Sequence, residues 1–449
     1  MRFSAVTVER AAAAVILLAY AVLAALYALL TPAWQVPDEP AHYNYIRQVA
    51  AEGCCPALTA EDWDASYLAT LTGSGFAPQH LEQLDSVQYE DHQPPLYYLL
   101  AAPVYRLTGG SLAALRLFSA LIGAGVVLCV YGVARAAGAE PPIRLGAMAF
   151  AAFLPQHVAI LAGVNNDGLA GLIVGAGTLL AVLQATGRLP GRRGALLLGG
   201  MVGLGFLTKA STLLLGPLAA LAIYLRWRGE ADRRLAGLLA AWALFLLPVL
   251  LLGGLWWGRN LALYGWPDVM GLGRHDAVVV GQPRTVDWIA ARGLGGWLAE
   301  GVRVTFQSFW GQFGWMGVPM PGWVYTALLV FTVLSAAGLI PLAIRAQRWD
   351  ALTPTARDVL ALLAALLALG IAQFIYYNLT FVQFQGRYLY PALSALALAF
   401  AGGWAGWASL LPDRWAGMLR WLPAAVMWGL AGLAVLALWR FILPSLPGW

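Results

Sequence analysis

The sequence predicts an all-α polytopic membrane protein with about eleven transmembrane helices, and three observations predict it. The first is composition: 60% of the 449 residues are hydrophobic and 11% charged, with a mean hydropathy of +0.70, whereas soluble domains carry about 25% charged residues. The second is that apolar runs of spanning length recur from one end of the chain to the other. No stretch is left for a soluble domain of ordinary size, so residues 1–449 read as one transmembrane domain. The third is where the arginines fall. Arg2 and Arg10, Arg135 and Arg144, Arg188 with Arg192 and Arg193, Arg226 and Arg228 with Arg233 and Arg234, Arg345 with Arg348 and Arg357, and Arg414 with Arg420 occupy alternate loops. The positive-inside rule makes those loops cytoplasmic. A net charge of +5 would point a soluble protein towards nucleic acid. Here the excess sets topology, and no nucleic-acid partner is expected.

The first span, 8–31, follows only Arg2 and Arg10 and lacks a clear small-residue cleavage site, so it reads as a retained anchor rather than a signal peptide. The loop 32–110 is outer and acidic: between residues 32 and 93 Asp38, Glu39, Glu52, Glu61, Asp62, Asp64, Glu82, Asp85, Glu90 and Asp91 face one base, Arg47. Its end, 95–108, reads as a short aromatic-faced helix lying flat in the interface, because Pro103 and Arg106 interrupt an already short apolar run. Spans follow at 111–134, 143–163 and 168–186. The next two, 194–208 and 211–226, are short and divided only by Lys209-Ala210; a single broken helix there would invert the sidedness of everything downstream. After the span 235–257 comes a second outer loop, 258–320, rich in Trp and Gly, which suits the headgroup belt. Spans at 321–344, 358–377, 388–410 and 418–440 complete the chain and place the C-terminus outside.

The stretch Trp34-Gln35-Val36-Pro37-Asp38-Glu39-Pro40-Ala41-His42-Tyr43 sets two carboxylates and an imidazole just beyond the first span. Flanking prolines disfavour helix in the residues before them, which predicts an extended corner for Asp38 and Glu39. A solvated, helix-initiating turn is the other reading. Further polar clusters fall at the same outer depth: Asn165-Asn166-Asp167, Lys209, Arg259-Asn260 and Gln385-Gly386-Arg387-Tyr388. Singly, Lys209 or Arg387 also fits a snorkelling anchor. Together the clusters describe a cavity with carboxylates towards water and cations near headgroup depth, which suits a lipid-linked phosphate carrying a group to be transferred.

These residues, with His92-Gln93-Pro94-Pro95-Leu96-Tyr97-Tyr98, Leu207-Thr208-Lys209 and Arg259-Asn260-Leu261-Ala262-Leu263-Tyr264-Gly265, resemble the GT-C superfamily of integral membrane glycosyltransferases over residues 10–410. The likeness is to its bacterial branch of predicted transferases, related to the protein O-mannosyltransferases and the lipid A aminoarabinose transferase. Those relatives carry an acidic motif at the start of the first external loop and an HPPL or KPPL motif at its end. Here Gln93 is inserted into the HPPL form. The resemblance implies a GT-C fold and inverting transfer of a sugar from a polyprenyl-phosphate donor to a glycan, lipid or protein acceptor at the outer face of the cell membrane, in cell-envelope glycan synthesis. It implies Asp38 as general base with Glu39 as the alternative, and Lys209 and Arg387 as ligands of the donor phosphate with Arg259 a third. His42, Tyr43, Asp91, His92, Asn166, Asp167 and Tyr388 are the expected substrate or acceptor contacts, Asn166 and Asp167 also fitting an ordinary helix cap.

A divalent cation is an open expectation. Asp38, Glu39, Asp91, His42 and His92 supply hard or borderline ligands, but no His-x-x-x-His or clustered cysteine spacing is present. His157 reads as a packing residue, and His80 and His275 as exposed loop residues. Adjacent Cys54 and Cys55 would form a strained pair, so no disulfide framework is expected. Trp63, Trp310 and Trp315 suit either sugar stacking or loop anchoring. Two other functions share the outer cavity or the membrane charges: a ligase or polymerase of lipid-linked glycans, and a lipid-linked-sugar transporter or flippase. The latter usually shows internal repeats and broken helix pairs near mid-membrane, which this sequence lacks.

Overall fold

The computed structural model describes residues 5–345 and 352–448. Arg2, Arg348 and Trp449, on which part of the sidedness expectation rests, lie outside the described residues. The fold is helical nearly throughout. Helix α1 (Ala5–Leu30) leads into α2 (Glu39–Glu52), the short α3 (Ala65–Gly73) and α4 (Leu96–Thr108) of the first loop. Then come α5 (Leu112–Ala136), α6 (Pro141–Phe153) and α7 (Pro155–Leu161), the last two meeting at a 61° bend. Pro155 supplies the bend, since it cannot donate to the preceding turn. Next are α8 (Asp167–Ala185), α9 (Gly191–Phe206), α10 (Leu215–Arg228), α11 (Leu235–Tyr264), α12 (Leu272–Val278) and α13 (Thr285–Trp310). A two-residue antiparallel hairpin, β1 (Gln312–Phe313) with β2 (Val318–Pro319), precedes α14 (Gly322–Arg345). The chain ends with α15 (Pro354–Thr380), α16 (Leu393–Ala408), α17 (Asp413–Leu419) and α18 (Leu422–Leu436), the last continued through a π turn to Ser445.

Among the described residues nine helices are long and apolar enough to cross a membrane, and the bent α6–α7 pair makes ten. The remaining expected span, α9, has 16 residues, about 24 Å at the helical rise and short of the roughly 30 Å hydrocarbon core. Its ends nevertheless reach both ends of its neighbour α8. Gln184 donates to the carbonyl of Gly191 at one end (3.0 Å), and Asn166 donates to that of Thr208 at the other (3.3 Å). α9 therefore runs back along α8, and α10 returns in turn, its last-turn Arg226 lying beside Gly187 just after α8, so the single broken helix weighed for 194–226 does not occur.

Close helix packing rests on small residues where backbones touch. A methyl group on Gly403 of α16 would lie 1.9 Å from the Ser335 carbonyl of α14, so only glycine permits that crossing. Both long loops are largely helical. In 258–320, α11 runs on to Tyr264, and α13 occupies 26 residues with a break at Gly293, where φ is +75°. The flat aromatic helix expected over 95–108 is α4, and α2, which follows the acidic pair directly, was not foreseen.

Candidate active site at one end of the bundle

The corner between α1 and α2 is not extended. Asp38 adopts the left-handed conformation (φ 65°, ψ 0°) as the residue preceding α2, and Glu39 opens the helix with Pro40 behind it. Proline is compatible with a first helical turn, whose N–H groups have no intrahelical partner. The helix-initiating reading is the correct one for the backbone, but the pair is not a solvated surface turn. The sharp turn sends the adjacent carboxylates in opposite directions.

Glu39 points inward and is fully buried. Arg116 of α5 grips it with Nε (2.8 Å) and Nη2 (2.6 Å), and the backbone N–H groups of Trp34 and Val164 donate to it at 3.1 Å each. Arg116 also donates to the carbonyls of Ala28, Thr31 and Pro32, closing the C-terminal end of α1. Both Glu39 oxygens are thus saturated, which corrects its assignment as an alternative base.

Asp38 faces the other way, into a cleft. Its Oδ1 accepts from the Tyr89 hydroxyl (2.9 Å) and its Oδ2 from Arg387 Nη2 (3.0 Å). Arg387 Nη1 lies 3.6 Å from Asp167 Oδ2, and the other oxygen of Asp167 takes Lys209. Four residues from four separated stretches form one chain, Asp38–Arg387–Asp167–Lys209, with two charges of each sign. Burial alone would push the Asp38 carboxyl up, but the Arg387 charge, the nearby His42 and the two hydrogen bonds hold it below the usual range. Tyr89 is pushed well above its ordinary value by burial and by Asp38, so it stays a hydroxyl donor.

Local structure explains each placement. Asp167 opens α8, where a carboxylate complements the helix dipole, and the Asn165 side chain accepts from its N–H (3.0 Å). Lys209 is extended between α9 and a 3-10 turn at Ala210–Leu214. Arg387 sits in a 3-10 turn, Gly386–Ala392, that opens the α16 span. That turn is seated on α13: Gly386 N donates to the Ser308 hydroxyl (2.8 Å), and a methyl on Gly386 would lie 2.3 Å from the Phe309 nitrogen. Tyr388 meets Tyr377 edge-on at 5.5 Å, with the Arg387 guanidinium 5.4 Å from its ring.

His42 and His92 stand beside the ion-pair chain. His42 Nδ1 pairs with the Tyr98 hydroxyl at 2.8 Å; burial lowers its proton affinity against the opposing charge of Glu90. His92 Nδ1 pairs with the Tyr89 carbonyl (3.2 Å), and its ring packs 4.2 Å from His275. Burial pushes both His92 and His275 down to about 4. His275 is therefore no free loop residue. Asn166 bridges Gln93 Oε1 (3.2 Å) and the Thr208 carbonyl, so the inserted Gln93 is part of this wall.

Three expected site residues lie elsewhere. Arg259 is spent on the Cys55 and Pro56 carbonyls and the Asn260 side chain, with its guanidinium 4.5 Å over Trp256, so it pins the first loop to α11 instead of joining Lys209 and Arg387. Tyr43 donates to the Gly110 carbonyl (2.7 Å) and packs against Trp34 and Tyr105. Asp91 turns to Gln48 of α2 (2.9 Å), and burial pushes it up to about 8. Trp310 is buried core, while Trp63 and Trp315 donate to the carbonyls of Val280 and Trp34 and tie loops together. Cys54 and Cys55, for which no pairing was expected, are joined to each other. Among the described residues no three His, Cys, Asp or Glu side chains are grouped to hold a metal ion. The carboxylates of Asp38 and Asp167 instead face cations of the protein itself.

The chain is similar in fold to a solved crystal structure, ArnT from Cupriavidus metallidurans bound to undecaprenyl phosphate. The match covers 99% of this chain and 74% of that one, with a TM-score of 0.51 and 17% identity. The chain has the GT-C fold. The apo state of the same ArnT matches at a TM-score of 0.49 and 16% identity, over 96% of this chain and 73% of that one. Residues 92–257 match the family described as dolichyl-phosphate-mannose-protein mannosyltransferase. No curated protein matches the chain. Within this GT-C fold, sequence reading missed Tyr89, Arg116 and Glu90. Arg116 carried a signal, being a lone arginine inside an apolar span, where a charge needs a partner.

Proposed function

We propose that the chain is an inverting glycosyltransferase that moves a sugar from a polyprenyl-phosphate donor to a hydroxyl of a glycan, lipid or protein acceptor at the outer face of the membrane. The observation that carries this reading is the electrically balanced chain Asp38–Arg387–Asp167–Lys209 at one end of an apolar bundle. Undecaprenyl phosphate, the lipid bound by the ArnT neighbour, has the chemistry such a site receives.

A lipid-phosphate sugar is a phosphodiester and brings one negative charge. Arg387 and Lys209 are the cations that meet it. As Arg387 turns to the phosphate it loosens from Asp38, and Asp38 gains proton affinity when the charge that depresses it is shared. Asp38 then takes the proton of the acceptor hydroxyl while the acceptor oxygen bonds to the anomeric carbon. The bond from that carbon to the phosphate oxygen breaks on the opposite face. Its electron pair leaves with the phosphate, whose second charge is stabilised by Arg387 and Lys209 without protonation.

Binding of undecaprenyl phosphate to the full chain in nanodiscs tests the phosphate ligands. Arg387→Ala and Lys209→Ala are each expected to weaken it about 10- to 100-fold, the range of a charged hydrogen bond, whereas Arg259→Ala leaves it within about twofold of wild type. Unchanged binding in both cluster variants removes them from the site. For sidedness, Ser66, exposed on α3, is replaced by cysteine in a chain otherwise free of cysteine. A membrane-impermeant maleimide added outside should label it; labelling only after the cytoplasmic side is opened contradicts the outer-face assignment.

A further inference from the structure

The turn Tyr89–Gln93 carries a carboxylate that the mechanism above does not use. Glu90 is 8% exposed, and its Oε2 has no protein hydrogen-bond partner. Its backbone carbonyl closes the turn by accepting from Gln93 N (2.8 Å). None of the expected site cations bonds to it: Arg387 holds Asp38 and Asp167, Lys209 holds Asp167, and Arg259 holds the Cys55 and Pro56 carbonyls. A second acceptor in the same wall is also unsatisfied. Asn166 is fully buried, and its Oδ1 has no partner while its Nδ2 is tied to Gln93 Oε1.

A buried acceptor without a donor costs stability, and a carboxylate oxygen costs most. Two of them on one wall, next to an ion-pair chain, are not explained by packing. Their place is fixed by their neighbours. Glu90 follows Tyr89, whose hydroxyl donates to Asp38, and Asn166 precedes Asp167, which pairs with Lys209 and Arg387. Asp91, the next residue, accepts from Gln48 of α2. Gln93, which closes the Glu90 turn, also accepts from Asn166, so the two acceptors adjoin the ion-pair chain on one wall.

We propose that Glu90 and Asn166 form the sugar-recognition edge of the cleft, accepting hydrogen bonds from neighbouring hydroxyl groups of the transferred sugar. The proposal rests on the donor reading above. An edge made only of acceptors selects a neutral polyhydroxylated sugar. It rejects a sugar that lacks a hydroxyl there, because Glu90 stays unpaired, and it repels a uronic acid through like charge.

The test measures binding of the full chain in nanodiscs to undecaprenyl phosphate and to the same lipid carrying glucose, mannose, arabinose or glucuronic acid. Wild type should bind at least one of the neutral glycolipids about tenfold or more tighter than the bare lipid, and the glucuronic lipid no tighter than the bare one. Glu90→Gln and Glu90→Ala should both abolish that gain, a loss of about 10- to 100-fold, while bare-lipid binding stays within about twofold. The unliganded Glu90→Gln protein should melt no lower than wild type, since an uncompensated buried charge has been removed. The subsite is overturned if wild type gains nothing from any neutral sugar, if either variant retains the gain, if bare and glycosylated lipids weaken alike, or if the glucuronic lipid binds best. Failure of wild type to bind even bare undecaprenyl phosphate contradicts the donor reading itself and takes the subsite with it.

Discussion

Asp38 and Glu39 are adjacent in sequence, and each meets an arginine, yet the surroundings of the two ion pairs differ in every respect that matters for chemistry. The Glu39–Arg116 pair is dry, with side chains 0% and 4% exposed; both Glu39 oxygens accept from Arg116 and from the backbone N–H groups of Trp34 and Val164, and the other Arg116 donors go to carbonyls of α1 and its exit. The Asp38–Arg387 pair is reached from the cleft, with Asp38 26% exposed, and Arg387 keeps an Nε without a partner. A saturated buried pair has nothing to offer a substrate, and breaking it leaves an isolated charge in a low-dielectric interior. An open, balanced chain can exchange one carboxylate for a phosphate without leaving a charge alone. Satisfaction of hydrogen bonds, more than residue type or position, separates the acid that holds the fold from the acid proposed as base.

The largest effect that sharpens this contrast belongs to the dry pair. Arg116→Ala is expected to cost about 3–5 kcal/mol of stability, because Glu39 is left charged and buried. Thermal unfolding in detergent checks it, and a melting temperature within a degree or two of wild type would dissolve the distinction.

The next effect is pH-dependent. His92 and His275, lowered to about 4 in the folded chain, bind fewer protons there than when unfolded, so each contributes stability that is lost as pH falls from about 6.5 towards 4. Asp91, raised to about 8, holds a proton in the folded chain that it releases when unfolded, so stability falls as pH rises from about 4 towards 8. The two histidines outweigh the aspartate below about pH 6.5, and above it Asp91 alone sets the slope. A melting profile should therefore peak near there, and Asp91→Asn should flatten the alkaline fall. A variant profile identical to wild type would show that Asp91 ionises normally.

Tyr89→Phe probes the open pair more gently. Losing one hydrogen bond to the Asp38 carboxylate raises its proton affinity, so the acid limb of the kcat/KM profile should move to higher pH. A shift to lower pH, or none, would remove Tyr89 from the tuning of Asp38. Smallest is Tyr43→Phe, which loses one bond to the Gly110 carbonyl. It should cost about 0.5–1.5 kcal/mol of stability and leave donor affinity unchanged. A donor-binding defect there would return Tyr43 to the cleft.

The fold was legible because its cause is local. Each apolar run needs only its own length and composition to become a helix, and α9 failed the length criterion while still making a full pass. The convergence of Asp38, Asp167, Lys209 and Arg387 was legible from their shared depth, since the alternation of spans forces equal depths to one end. Side-chain direction was not. Whether Asp38 or Glu39 faces the cleft depends on a left-handed φ at Asp38, which the flanking prolines do not announce. The same holds for Glu90 and Asp91, where the sequence marks an acidic turn but only the folded turn gives Asp91 the Gln48 amide and leaves Glu90 Oε2 without a partner. Arg259 shared the right depth and was lost to the cluster because the first loop folds over it, a long-range contact with no local signature.

Turnover of Asp38→Asn against Glu39→Gln, each normalised to folded protein, separates the two carboxylates. Asp38→Asn keeps shape and removes proton acceptance, so transfer should fall about 10²- to 10⁴-fold with undecaprenyl phosphate affinity and melting temperature retained. Glu39→Gln should lower the melting temperature while the folded fraction turns over within severalfold of wild type. Abolished transfer in folded Glu39→Gln, with Asp38→Asn intact, would reverse the roles of the two carboxylates and contradict the account.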